Sequence, residues 1–106
     1  MNIQFKKGVL DLLVLCMLNT EDRYGYDISE TISRSISISA GTIYPILRKL
    51  KEEGFVTTYL SEDSNGPARK YYRITNKGKN ELAQTKQEWK DFATIVSVLM
   101  EENEND

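Results

Sequence analysis

SAGTIYPILRKLKEEGFV, Ser39 to Val56, holds a complete helix with both of its ends, and the rest of the chain arranges itself around it. Ser39 is an N-cap residue by type, because its hydroxyl takes up a backbone N–H that the first helical turn leaves unpaired. Ile43, Ile46, Leu47 and Leu50 follow at helical spacing, which predicts a short amphipathic helix. Those positions cluster on one side of a helical wheel, and Gly41, Tyr44, Pro45, Arg48 and Lys49 fall on the other. One face is apolar; the other is small, aromatic and basic. Gly54 sits at a C-cap position, and Phe55-Val56-Thr57-Thr58-Tyr59-Leu60 turns at once into a β-branched and aromatic run. A helix stops there and a strand begins.

On the N-terminal side, Tyr24-Gly25-Tyr26-Asp27 opens another helix through about Ile36, with Tyr26, Ile28, Ile32 and Ile36 as inward positions. Gly25 suits close packing near its start, and Asp27 and Glu30 complement the helix dipole. A serine-rich stretch, Ser35 to Ser39, is the turn between the two helices. Two helices joined by a short turn, the second with exposed polar and basic residues, form a helix-turn-helix pattern. Further upstream, Phe5, Val9, Leu12, Leu13, Cys16 and Met17 keep helical spacing while Leu10, Val14, Leu15 and Leu18 fill the other sides. A helix this apolar all round is buried on more than one face, so it is the central helix of the domain.

On the C-terminal side, the polar segment Ser61 to Pro67, with Asn65-Gly66 at its tip, separates the first strand from a second, Arg69 to Ile74. This predicts a β-hairpin with a protruding loop, in the position of a wing. Tyr71 and Tyr72 alternate faces, so one is core and the other partly exposed. Thr75 is the next N-cap, and from Asn76 to about Glu102 the chain is free of proline, with Gly78 the strong helix-weakening residue. Leu82, Trp89, Phe92, Val96 and Leu99 make a heptad-like stripe, widened by Ile95 and Met100. A helix of that length outreaches a compact core, so its stripe predicts a two-fold homodimer.

The predicted fold is therefore mainly α with a small β-hairpin: a winged helix-turn-helix over residues 1–75, and a C-terminal dimerisation helix with an acidic tail over residues 76–106 of the same compact unit. The chain has 106 residues, 40% hydrophobic and 28% charged, which suits one globular domain and argues against disorder. Its net charge is −2 and its pI near 5.2, so a polyanion surface has to come from local segregation of charge. Between Ser64 and Asn80 the charged residues are Arg69, Lys70, Arg73, Lys77 and Lys79, while the tail carries Glu101, Glu102, Glu104 and Asp106. The lone Cys16 excludes an internal disulfide and indicates a reducing compartment, and its place in an apolar run makes it a core residue. The apolar run Val9 to Leu18 is too short and interrupted for a membrane span, so no membrane partner and a cytoplasmic location are expected. The chain has no histidine, and with one cysteine it lacks the commonest general base and transition-metal ligands; no catalytic constellation, cofactor or metal site is expected.

Taken together, GTIYPILRKLKEEGFV, the later GPARKYYRIT and the earlier YGYDI resemble the PadR family of winged-helix transcriptional regulators, in particular its short members with a single C-terminal helix. The resemblance spans nearly the whole chain. It implies a cytoplasmic dimer that sets two recognition helices on a palindromic operator in double-stranded DNA. It also implies a repressor, often relieved by a small aromatic, planar or phenolic ligand. Trp89 stands where multidrug-responsive relatives place a tryptophan that lines a pore between subunits, so ligand stacking and interface packing are both open for it.

The residues themselves assign the DNA contacts in outline. Arg48 is the first candidate for a base edge, since arginine pairs bidentately with guanine in the major groove. Thr42 and Pro45 suit thymine methyls, with a purely structural role for Pro45 equally open. Tyr44 and Lys49 suit phosphates, and Arg69 and Lys70 suit the backbone or the minor groove from the wing. Leu82, Trp89, Phe92, Val96 and Leu99 are the expected dimer interface. The competing reading is a winged-helix dimer that binds another protein in place of specific DNA.

Overall fold

The computed structural model describes residues 3–62 and 66–104, apart from the side chains of residues 3–7 and 40. The side chain of Phe5, the Ser64-Asn65 part of the hairpin tip and Asp106 lie outside the described residues. The order of elements is α1 (Ile3–Thr20), β1 (Arg23–Tyr24), α2 (Gly25–Ser35), α3 (Ile43–Glu52), β2 (Val56–Ser61), β3 (Arg69–Ile74) and α4 (Asn76–Glu104).

Helix α1 is the hub, touching α2, α3, α4 and β3. Leu10, Leu12, Val14, Leu15 and Leu18 are buried, and Leu13, Cys16 and Met17 pack against the same core. The core closes with Ile28 and Ile32 of α2, the apolar face of α3, Val56, Tyr72 and Ile74 of the sheet, and Leu82 of α4. Of the two neighbouring tyrosines, Tyr72 is the core residue and Tyr71 is half-buried.

The sheet has three strands in the order β1-β3-β2, all antiparallel. The hairpin pairs Val56 with Ile74 and Ser61 with Arg69, and β1 adds Arg23 opposite Tyr72 and Tyr24 opposite Tyr71. Strand β1 was not expected: two residues are too few to show a period of two. Its presence changes the start of α2. The helix begins at Gly25, and Gly25, Ile28, Ser29 and Ile32 form its buried face. Tyr26, expected inward, is 54% exposed, because it precedes Ile28 by two residues and so points well round the helix from it. Gly25 takes the inward place; a Cβ there would come within 3.1 Å of the Tyr72 ring.

Ser39 does its capping one turn earlier than expected. Its carbonyl accepts the Thr42 N–H at 3.0 Å and its hydroxyl accepts the Gly41 N–H at 3.3 Å, closing a short 3-10 turn over Ala40–Thr42. Helix α3 proper then starts at Ile43, which places Pro45 in its first turn rather than in its interior. A first-turn N–H has no acceptor within the helix, so proline loses nothing there. At the other end Gly54 has φ 81°, and the Gly54 and Phe55 N–H groups bond back to the Lys51 and Leu50 carbonyls at 3.0 and 2.9 Å. That is a Schellman stop, whose left-handed residue favours glycine.

Thr75 joins this stop to α4. Its hydroxyl donates to the Gly54 carbonyl at 2.7 Å and accepts the Gly78 N–H at 3.0 Å, as an N-cap does. Gly78 is required for a steric reason, since a Cβ there would overlap the Phe55 carbonyl oxygen. Only the first turns of α4 enter the core; its buried residues are Gly78 and Leu82. With 29 residues the helix runs about 43 Å, and the molecule measures 62 × 28 × 21 Å.

Candidate nucleic-acid interface

The outward face of α3 is built by the same spacing that buries Ile43, Ile46, Leu47 and Leu50. Tyr44, Pro45, Arg48 and Lys49 are exposed on it, and Thr42 is half-exposed at its start. Tyr44 lies beside Gly25 and Tyr72, where α3 meets the start of α2. The Tyr72 phenol is held above its ordinary range, chiefly by burial and then by Tyr44, with the positive charge of Arg48 acting in the opposite sense. Lys49 is engaged: its ammonium lies 2.6 Å from the Asp11 carboxylate of α1. Its pKa is raised by that hydrogen bond, against the effect of partial burial.

The hairpin places Arg69 and Lys70 in the open, on the first two residues of β3. The Arg69 guanidinium lies over the Tyr24 ring, 4.9 Å from its centroid, which orients it without neutralising it. Tyr59 and Tyr71 stack with centroids 5.6 Å apart, and Tyr24 joins them 6.2 Å from Tyr71. Asp22, just before β1, accepts from the Tyr59 hydroxyl at 2.7 Å and from Arg73 Nε at 3.0 Å. The wing is thus tied at its base to the loop after α1. Arg73, part of the basic stretch, is paired with Asp22, whereas Arg69 and Lys70 project from the sheet beyond it.

Tyr26, expected in the core, stands exposed beside Tyr24, with ring centroids 5.9 Å apart. Its phase relative to Ile28 was the signal that would have found it. Its hydroxyl is held above the usual tyrosine range by a hydrogen bond to Glu30, one turn on.

A second surface lies on α4. Trp89, Phe92, Ile95, Val98, Leu99 and Met100 are exposed, several by more than half, and Val96 is half-buried. Leu82, expected in the dimer interface, is instead 6% exposed within its own chain: it faces the core where the start of α4 crosses the winged unit. Val98 is an addition that the stripe did not include. Among the described residues there is no group of three His, Cys, Asp or Glu residues that would hold a metal ion, and no helix is long and apolar enough to cross a membrane.

A helix-turn-helix whose second helix bears an exposed basic face, followed directly by a β-hairpin wing that pairs with the short strand before the first of the two helices, defines a winged-helix DNA-binding fold. Residues 14–84 match the transcriptional regulator PadR-like family, and the chain belongs to it. A crystal structure of a PadR-like transcriptional regulator from Bacillus cereus is 37% identical, with a TM-score of 0.83 over 92% of this chain and 96% of that one. A Streptococcus transcriptional regulator is 32% identical, with a TM-score of 0.84 over 92% of this chain and 97% of that one. The negative transcriptional regulator PadR of Bacillus subtilis is 35% identical over 78 residues, which are 70% of this chain and 43% of that protein.

Proposed function

We propose that this chain is a sequence-specific transcriptional repressor that acts in the cytoplasm as a homodimer on a palindromic operator. The observation that carries the proposal is the pairing of two exposed features in one chain. Basic and aromatic side chains stand on α3 and the wing, and an apolar stripe that its own core does not cover runs along α4. Two-fold pairing through Trp89, Phe92, Val96 and Leu99 would present two copies of α3, which is the symmetry a palindrome requires. The negative regulator from Bacillus subtilis supports the sign of the regulation.

In this reading Arg48, near the middle of the exposed face, reads a guanine edge, and Thr42 and Pro45 meet thymine methyls. Tyr44 holds a phosphate on one flank of α3, and Lys49 lies within reach of another on the opposite flank. Arg69 and Lys70 follow the backbone or enter the minor groove, and Tyr26 is added to the surface beside Tyr44. A small aromatic or phenolic effector stacking on Trp89 would relieve repression by changing the spacing of the two heads. The test is a titration of purified protein against DNA from its own promoter region, with scrambled DNA as control. Salt-sensitive binding that prefers the promoter sequence supports the reading, and sequence-indifferent binding removes it. Quenching of Trp89 fluorescence by planar aromatics tests the effector.

A further inference from the structure

The Asp11–Lys49 pair joins two elements with different tasks. Asp11 belongs to α1, the hub of the core, and Lys49 to the exposed face of α3. The two side chains, with Thr42, Pro45 and Ile46, line a hollow of about 240 Å³ between the helices. Thr42 and Pro45 are two of the residues assigned to DNA, so the carboxylate opens on the same surface that a DNA backbone would approach. The Lys49 side chain is 51% exposed and that of Asp11 26%, so the ammonium is reachable while its partner is held back against the protein. Glu53, the residue that caps the end of α3, adds a second negative charge that favours the protonated amine.

We propose that Asp11 restrains Lys49 from the DNA backbone and thereby sets how tightly the recognition helix grips phosphate. The inference rests on the DNA-binding reading above. Its chemistry is a competition between two oxygen anions for one ammonium group. A phosphate oxygen either displaces the Asp11 carboxylate or shares the ammonium with it. In both cases the negative charge of Asp11 stays near the phosphate and opposes the contact. A carboxylate here weakens binding to every sequence alike, since phosphate contacts carry no base information. Asp11 is thus an affinity-setting residue that itself touches no base.

The experiment compares the wild-type protein, Asp11→Asn, Lys49→Gln and the double variant on operator DNA from the protein's own promoter region over a series of salt concentrations, with melting temperatures alongside. Asp11→Asn should bind about fivefold more tightly, the equivalent of releasing one exposed ion pair. It should also steepen the log–log salt slope by about 0.9, for one more neutralised phosphate. Adding Lys49→Gln should erase both gains, and Lys49→Gln alone should change wild-type binding by less than it changes the Asp11→Asn protein. Unchanged or weaker binding by folded Asp11→Asn overturns the proposal, as does a gain that survives Lys49→Gln. If Asp11→Asn fails to fold, the single Lys49→Gln variant decides: near-wild-type affinity supports the restraint, and a loss as large as a full phosphate contact overturns it. Absence of operator binding by wild type and variants together overturns the DNA-binding reading itself and the restraint with it, whereas wild-type binding with an unresponsive Asp11→Asn overturns the restraint alone.

Discussion

Helix α3 buries four of its ten residues, whereas α4 buries two of its 29, although both carry apolar side chains at helical spacing. The difference is one of surroundings. Helix α3 lies against α1, α2 and β2, so its apolar face meets a wall on each side. Helix α4 buries no residue after Leu82 among those described, and Phe92, Ile95, Leu99 and Met100 are each more than half exposed. Periodicity shows that a face is apolar; it does not show whether the covering surface comes from the same chain.

The contrast breaks most sharply by truncating one residue from each helix. Leu47→Ala, at a fully buried site in α3, should lower unfolding free energy by about 2–5 kcal/mol, through lost burial and the cavity left behind, as read from urea denaturation. Phe92→Ala, 55% exposed on α4, should instead weaken dimerisation by about 2 kcal/mol, with its main effect on the monomer–dimer equilibrium seen by sedimentation. If Phe92→Ala leaves the dimer intact, the apolar stripe of α4 is not the interface.

Gly78→Ala sharpens the boundary between the two regimes. It adds one methyl group where α4 is still pressed on the Phe55 carbonyl, and should cost about 1–3 kcal/mol despite alanine's better helix propensity. A neutral result in a thermal melt would mean that the start of α4 moves freely on the core. On the reading face, Arg48→Ala should cost about 1–3 kcal/mol of operator affinity and relax preference at particular bases, while Lys70→Ala weakens all sequences alike. Equal behaviour of the two variants in a binding selection would remove the assigned roles.

The smallest effect concerns the base of the wing. The Tyr59 phenol is held above the ordinary tyrosine value by its hydrogen bond to Asp22 and then by desolvation, with Arg73 opposing. A raised value means that folding favours the protonated phenol. Its contribution is therefore fully present below about pH 10 and is lost as pH climbs through the folded-state value. Tyr59→Phe should reduce the alkaline fall in stability, measured as the difference in urea midpoints between neutral pH and the range above pH 10. The same slope in both proteins would show that the Asp22 bond does not bias the titration.

Much of the fold was legible because local chemistry and global packing agree. Ile43, Ile46, Leu47 and Leu50 stand at one period, and the Schellman stop at Gly54 and the Thr75 cap are short-range hydrogen-bonded devices written in adjacent residues. The third strand was not legible, because Arg23 and Tyr24 become a strand only by lying beside Tyr72 and Tyr71, far along the chain. The exposure of Tyr26, by contrast, was legible in its phase, two residues before the buried Ile28. At the candidate site, the exposed set on α3 could be named from the wheel. The engagement of Lys49 could not, because its partner lies 38 residues away on another helix.

By itself, the sequence determined the periods, the caps, the turns and the segregation of charge, all of which act over a few residues or one helical face. Three-dimensional packing alone decided which apolar face finds a wall, so that Leu82 closes the core while Phe92 stays open. It also decided which charges meet, so that Asp11 holds Lys49 and Asp22 holds Arg73. Such meetings depend on distances between elements remote in sequence, and no local pattern encodes them.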